Sequence, residues 1–474
     1  MSPEEFRRHG YALVDRIADY WTKIGGLPVG HAVAPGEVAA ALPADAPESG
    51  EAMETILADI DRVVMPGIVH WQHPRFFGYF PSSTSPPSVL ADLLCAGLGV
   101  QGMLWATSPA CTELETVTLD WLARLLGLPE EFTSGSTGGG VIMDAASSAT
   151  LVAVVAALHR ADPGWRDHGV RGRYAVYASA EAHSAINKAV RIAGLGEDAV
   201  RSIRTDPRTL AMDAHDLAGR IAADRDAGVV PLMVLVTVGT TSTTAVDPLP
   251  AIGPIAAEAG AWLHVDAAYA GVAAVCPEFG WVHDGLEYAD SYCTNPHKWL
   301  LVGFDCDTFF VRDRLALTGA LGVLPEYLRN AATESGDVID YRDWQIPLGR
   351  RFRALKLWFV LRWYGSEGLR AHVRNTVAMA QELASRIAAD DRFVIVAPHP
   401  FGLVCFRPAA LPGEADTAAD ARAALLLERA NASGTMHLTH TKVHGRYTLR
   451  LAIGNAATTP DDVAIAWERL TALV

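Results

Sequence analysis

The chain has 474 residues, of which 50% are hydrophobic and 20% charged, and its formal net charge is −15 at pH 7. This composition suits a globular protein with a large core of roughly two to four domains. The acidic balance excludes a nucleic-acid or anionic-membrane partner, both of which require a basic surface, and no apolar run approaches the ~20 residues of a membrane span.

Met1 to Tyr20 lacks the apolar core of a signal peptide and reads as an amphipathic helix reaching about residue 30, with Phe6, Leu13, Ile17, Tyr20 and Ile24 on one side. Pro28, Pro35, Pro43 and Pro47 then punctuate an extended segment. Such an arm has little core of its own and is expected to pack on something else, in an oligomer the partner subunit. A second helix spans about Met53 to Val64. From His70 to Pro81 a run of aromatic residues sits among prolines and a glycine. Aromatic side chains on a loop either plug a core, the commoner case, or line a pocket for a flat ligand. Helical periodicity returns over Pro87–Gly99 and Cys111–Leu126.

Gly135 to Gly140 is a glycine-rich loop, followed by an apolar run to Asp144 and a helix opening near Ser147. Ser147 or a neighbour can cap that helix, and free backbone N–H groups there attract an anion, although an ordinary capped helix has the same pattern. Neither GxGxxG nor a Walker lysine is present. Strand-like runs follow at 174–178, 232–238, 262–265, 291–294 and 308–311, separated by helical stretches. This alternation predicts a mainly parallel sheet with right-handed crossovers, whose ligands gather at the carboxyl ends of the strands. His183, Thr241, Asp266 and Lys298 each follow such a run. The polar stretch Arg329–Asp340 reads as a loop or lid. The remainder alternates helices (through Trp363, about 369–390 and 418–432) with strands (393–396, 403–406, 447–453). The predicted organisation is an N-terminal arm (1–85), a large domain (86–360) and a small α+β domain (361–474). The six cysteines form no CxxC pair, which suggests reduced thiols in a cytosol. His437, His440 and His444 are loosely spaced without an acidic partner, so no metal site is expected.

The chain uses only five lysines, and Lys298 lies in the apolar run Asn295-Pro296-His297-Lys298-Trp299-Leu300-Leu301. Burial penalises an ammonium and lowers its pKa, and a neutral amine is a nucleophile that enzymes use for Schiff bases. A lysine snorkelling from a helix end is the plainer alternative. An aldehyde cofactor on Lys298 would need a carboxylate to keep a pyridine nitrogen protonated, and Asp266 is the candidate. Ala268 is small enough to admit the ring, His183 can stack on it, and Thr241 can hydrogen-bond near it. Ala146, Ser147 and Asn295 suit an anion cup.

The segments HVDAAYAG (264–271), NPHKWLL (295–301), SPACTELE (108–115) and LGRRFR (348–353) resemble those of the group II pyridoxal-phosphate decarboxylases, specifically the aromatic-L-amino-acid branch. The resemblance covers nearly the whole chain. It implies a fold-type-I, aminotransferase-like α/β architecture: a mainly parallel seven-stranded sheet flanked by helices, with a small α+β C-terminal domain. It also implies pyridoxal 5'-phosphate as cofactor and a cytoplasmic homodimer with the active site at the interface. By motif, Lys298 resembles the Schiff-base lysine, Asp266 the pyridinium partner and His183 the stacking histidine. Ala146, Ser147 and Asn295 resemble the phosphate contacts, with Thr241, Ala268 and His297 close to the cofactor. Gly349 stands where the partner chain nears the phosphate. Trp71, Tyr79, Phe80, Pro81, Ser82 and Met103 match the aromatic substrate wall, and Tyr327 the lid tyrosine that returns a proton to the substrate carbon.

Ser82 and Met103 stand where many animal relatives carry threonine and phenylalanine, and Ser148 where an acidic residue is frequent. These departures bear on ring preference, not on the reaction. Gly349 leaves space for an indole, which puts tryptophan or 5-hydroxytryptophan ahead of phenylalanine, tyrosine or dopa. The implied reaction is decarboxylation to an arylalkylamine and carbon dioxide. The alternative is an aromatic aldehyde synthase, which decarboxylates and deaminates oxidatively. Such relatives often replace the lid tyrosine or the stacking histidine, and this chain retains both. A substrate with a second carboxylate would need basic residues where this chain has aromatic ones, and retention of Lys298 with Asp266 argues against a non-catalytic relative.

Overall fold

The strand-like runs of the sequence become strands, and the stretches between them become the helices that cover a sheet. The computed structural model describes residues 1–323, 328, 330–335 and 338–474. The three longest helices before the sheet are α1 (Pro3–Lys23), α2 (Pro86–Leu98) and α3 (Pro109–Leu126), and the helix expected near Met53 is the shorter Met53–Asp59. The sheet then alternates β1 (Gly139–Met143), α4 (Ala146–Ala161), β2 (Tyr174–Ser179), α5 (Ala185–Ile192), β3 (Val200–Ile203), α6 (Ala214–Asp226), β4 (Val230–Thr237), α7 (Leu249–Ala259), β5 (Trp262–Asp266), β6 (Ser291–Thr294) and β7 (Asp307–Val311). In space the order is β1-β7-β6-β5-β4-β2-β3. Only β7 opposes its neighbours, as it runs antiparallel to β1 and β6 while the other pairings are parallel. The interior strands β5, β6 and β7 are buried at every residue. With helices on both faces, a parallel strand has no wet side, which explains the continuous apolar runs.

The connection leaving β2 runs outward to β3, whereas the connection leaving β4 runs inward to β5. Between the carboxyl ends of β2 and β4 the winding therefore reverses and opens a crevice. A second, antiparallel sheet has the order β10-β11-β9-β8. It is formed by β8 (Phe393–Ile395), β9 (Leu403–Pro408), β10 (Thr439–Val443) and β11 (Arg446–Ala452), with helices α8 (Ala354–Ala388), α9 (Asp416–Ala432) and α10 (Pro460–Thr471). α8 breaks at Gly365, whose φ of 60° and ψ of 178° suit glycine. The two helices expected on either side of residue 365 are thus present and meet at this non-helical glycine. The sequence pattern did not reveal β3, β10 or α10. β3 (VRSI) and β10 (THTKV) are short, polar and only partly buried, so they carry little of the apolar signal by which strands are read.

Two of the quoted motifs meet in the core. Arg350, from LGRRFR, donates Nη1–H to Glu115 Oε2 at 3.0 Å and Nη2–H to Oε1 at 2.5 Å, and Glu115 comes from SPACTELE. Glu115 Oε1 also accepts from Ile142 N–H at 2.8 Å, and Arg350 donates to the Ile142 and Gly102 carbonyls at 3.1 and 3.3 Å. Both side chains are essentially solvent-free, at 1% and 0% exposed. The pair ties α3, β1 and the segment before α8 together. Breaking a buried pair on one side strands a charge, at a cost of about 3–5 kcal/mol. Arg350→Met is therefore expected to lower the denaturant midpoint sharply, and adding Glu115→Met to recover part of the loss.

Burial also pushes five histidines, His73, His264, His283, His297 and His372, down from 6.5 to about 4. Unfolding returns each imidazole to its ordinary range, so between these values the unfolded chain binds more protons than the folded one. The stability they contribute is present above pH 6.5 and is lost as pH falls towards 4. The melting temperature is expected to drop steeply across that window, which a pH series of circular-dichroism melts would measure.

Candidate active site

β6 ends at Thr294, and Asn295 leads into a single helical turn, Pro296–Trp299. Trp299 anchors it. Its indole is fully buried, stacks on Tyr269 at 4.9 Å and donates Nε1–H to Thr376 Oγ1 at 2.9 Å. Tyr269 stacks in turn on Phe80 at 3.8 Å. The loop of residues 83–85 straps the turn from outside. Ser83 Oγ donates to the Lys298 carbonyl at 3.1 Å, and Ser85 Oγ donates to the Leu301 carbonyl at 2.6 Å. Leu301 is held at φ 62°, a left-handed conformation that costs an ordinary residue about 1–2 kcal/mol. Successive residues of a helical turn point about 100° apart. With Trp299 locked in the core, Lys298 is turned into the crevice.

There it meets most of the residues singled out in the sequence. Ala146, Ser147, His183, Thr241, Asp266, Ala268, Asn295, His297 and Lys298 line one cavity of about 220 Å³, together with Phe80 and Thr237. All but Phe80 belong to the carboxyl end of a strand or the segment just after it. Burial lowers the Lys298 pKa from 10.5, opposed by Asp266, Cys293 and Asp307. Asp266 is 6% exposed, and its Oδ1 accepts from Ala268 N–H at 3.1 Å. His183 stands at the mouth of the cavity, where its Nδ1 accepts from Ala185 N–H at 3.1 Å. Desolvation lowers its pKa, Asp266 raises it and Lys298 lowers it again, leaving a neutral ring that carries its proton on Nε2. His297 Nδ1 accepts from Cys306 N–H at 2.9 Å, and its pKa of about 4 keeps it neutral as well. Lys298 Nζ lies 5.9 Å from the centre of the Phe80 ring.

α4 opens on this cavity. Its cap is Ala145, in extended conformation with no side-chain hydrogen bond, and not Ser147, which lies inside the first turn. An alanine cap offers no acceptor, so the first N–H groups of the helix remain available to an anion. Gly239, at φ 87°, makes the turn after β4, where a Cβ would come within 2.6 Å of Ala270.

Other expected residues lie elsewhere within one chain. Gly349 lines a separate hollow with Asp144, Ser148, Asp305 and Arg353. Trp71 and Tyr79 stack on each other at 5.4 Å and are exposed, Tyr79 at φ 55° with its N–H on Thr439 Oγ1 at 3.2 Å. Pro81 packs beside Gly454, the Ser82 carbonyl accepts from Gln72, and the Met103 carbonyl accepts from Arg342 N–H at 3.0 Å. None of these five lines the cavity. Tyr327 lies outside the described residues.

Sequence reading missed Arg450. From β11 it donates to the Thr241 and Ser242 carbonyls at 2.8 and 2.9 Å, and its guanidinium lies 5.3 Å from the Phe80 ring centre. It joins the second sheet to the cavity rim. The available signal was an arginine flanked by two leucines within a strand.

Together the cavity presents a desolvated amine, a buried carboxylate, a neutral imidazole face and an uncapped helix start. The Thr237 hydroxyl, buried without a partner among the described residues, adds one more unmade hydrogen bond. This donor set fits a flat, cationic heterocycle bearing an aldehyde and an anionic tail.

Residues 35–409 match the pyridoxal-dependent decarboxylase conserved domain. Phenylacetaldehyde synthase of Arabidopsis thaliana is 45% identical over 99% of this chain and 95% of its own length. The aromatic-L-amino-acid decarboxylase of Mus musculus is 44% identical over 100% of this chain and 98% of its own. The crystal structure of Oryza sativa TDC with PLP and tryptamine superposes with a TM-score of 0.97 at 42% identity, covering 100% of this chain and 98% of that one.

Proline is tolerated at the first position of a helix and removes only an N–H that the helix does not use. Ala146→Pro is therefore expected to leave the melting temperature of the cofactor-free protein unchanged. It should weaken retention of pyridoxal 5'-phosphate about tenfold or more, the loss of one hydrogen bond to a charged group, as read by equilibrium dialysis.

Proposed function

The chain belongs to the pyridoxal-dependent decarboxylase family, and from that premise we propose that it converts aromatic L-amino acids to the arylalkylamine and carbon dioxide. The observation that carries this reading is the meeting of Lys298, Asp266 and His183 at one cavity beside the Phe80 ring. Pyridoxal 5'-phosphate, when bound, supplies an electron sink for the pair left on the α-carbon as carbon dioxide departs. Lys298 would hold its aldehyde covalently, and Asp266 its ring nitrogen. The free N–H groups at the start of α4, with Asn295, would hold its phosphate. Burial shifts Lys298 towards its unprotonated form, the form that acts as a nucleophile. The neutral His183 offers an uncharged face to a cationic ring and a proton on Nε2 that can move. His183 and Tyr327 are the candidates for returning a proton to the α-carbon.

Phe80, in the cavity wall, suits an aromatic side chain. The same reading takes the active molecule to be a cytoplasmic homodimer. It is supported by Phe6, Tyr11, Leu13, Val14 and Ile17, which α1 leaves exposed along with Leu90, Leu93, Leu94 and Leu98 on α2. Apolar surface of this extent is characteristic of an interface. A partner would also explain why residues 1–85 have so little core of their own, set against a large unit of 86–360 and a small one of 361–474.

The aldehyde-synthase relative makes product identity the decisive measurement. Purified enzyme incubated with tryptophan, 5-hydroxytryptophan, phenylalanine, tyrosine and dopa is expected to release amine and carbon dioxide in equal amounts, with the indoles preferred. Lys298→Ala should abolish turnover. Stoichiometric aldehyde, ammonia and peroxide would overturn the assignment, and light scattering showing a monomer would overturn the dimer.

A further inference from the structure

β7 opens on a carboxyl that the chemistry above does not use. Asp307 is 0% exposed and pairs with Met143 of β1 behind the turn that carries Lys298. A single orientation of the Asn295 amide satisfies both of its neighbours. Its nitrogen donates to Asp307 Oδ1 at 2.5 Å, and its oxygen accepts from Lys298 Nζ at 3.2 Å. The other carboxyl oxygen, Asp307 Oδ2, has no hydrogen-bond partner among the described residues. A buried carboxyl with one oxygen unpaired destabilises the fold that contains it, so Asp307 has no evident structural return. The charged groups facing it are Asp266 from β5, Asp144 from the segment before α4, and Lys298. Those facing Lys298 are Asp266, Asp307 and, if ionised, Cys293 from β6.

We propose that Asp307 is a positioning residue: by accepting from the Asn295 amide it turns the amide oxygen towards Lys298 and so sets the direction and protonation of the amine. This rests on the reading of Lys298 as the cofactor-holding residue and adds a third group behind it. Without the acceptor, the amide is free to rotate and present N–H to the ammonium, donor against donor. Burial, helped by Asp266, pushes the Asp307 carboxyl well above its usual range. The role survives protonation, because a neutral carboxyl still accepts through its carbonyl oxygen. An asparagine at 307 offers the same acceptor, whereas a valine offers none.

The test uses the cofactor-loaded enzyme and four variants: D307V, D307N, N295A and the double variant N295A/D307V. D307V is expected to lower kcat about tenfold or more with KM within about threefold, while its melting temperature holds or rises because a costly buried carboxyl is gone. The pH midpoint of the cofactor's visible absorbance should move down by about half a unit or more, since both groups favouring the cationic nitrogen are weakened. D307N should restore kcat to within about threefold and the midpoint to within about 0.2 unit. The double variant should be no worse than N295A alone, within about twofold, because both changes break one connection. A wild-type midpoint and kcat in D307V, equal damage in D307N and D307V, or effects of D307V and N295A that multiply would each overturn the proposal. Absence of any cofactor absorbance in the wild-type protein would refute the cofactor reading instead.

Discussion

An ammonium group taken out of water is the constraint on which this molecule is built. Lys298 follows the interior strand β6 and is forced inward because Trp299 occupies the core on the other side of the same turn. The burial that makes its amine useful also makes it unfavourable, and the surroundings offset that cost. Asp266 faces it across the cavity, the Asn295 oxygen accepts from it at 3.2 Å, and the Phe80 ring lies beside it. Two serines and the three-ring stack Phe80–Tyr269–Trp299 hold the turn against the left-handed strain at Leu301.

The same logic recurs away from the amine. Buried charges here are tied to backbone as well as to one another. The Glu115 carboxylate takes the Arg350 fork and the Ile142 N–H, so the first strand of the sheet is joined to the segment that leads into α8. Arg450 reaches from the antiparallel sheet to the carbonyls of Thr241 and Ser242. Through it the second sheet closes one wall of the cavity and positions a loop belonging to the first. Such links hold elements distant in sequence to one geometry, because a displacement would leave a buried polar group unpaired.

Much of the site was legible because strand ends are legible. An apolar run that stops at a polar residue marks where a parallel strand meets the crevice, and His183, Thr241, Asp266 and Lys298 were found that way. Asp307 was missed for the opposite reason. It begins an apolar strand instead of ending one, and β7 is the strand that runs backwards, so its first residue lies at the edge where the others finish. Arg450 was hidden by alternation in a strand whose partners are remote. The cap of α4, expected at Ser147 or a neighbour, is Ala145, which has no side-chain acceptor for the first N–H groups.

Sequence alone determined the class of fold, the family and most of the cavity's lining, since these rest on local periodicity and on residue types that chemistry requires at strand ends. Tertiary structure decided the rest: which carboxyl stands behind Asn295, which sheet closes the rim through Arg450, and that Gly349, Trp71 and Tyr79 lie away from the amine within one chain. Those relations depend on contacts between residues from 12 to 209 positions apart, and hydrophobic periodicity carries no record of them.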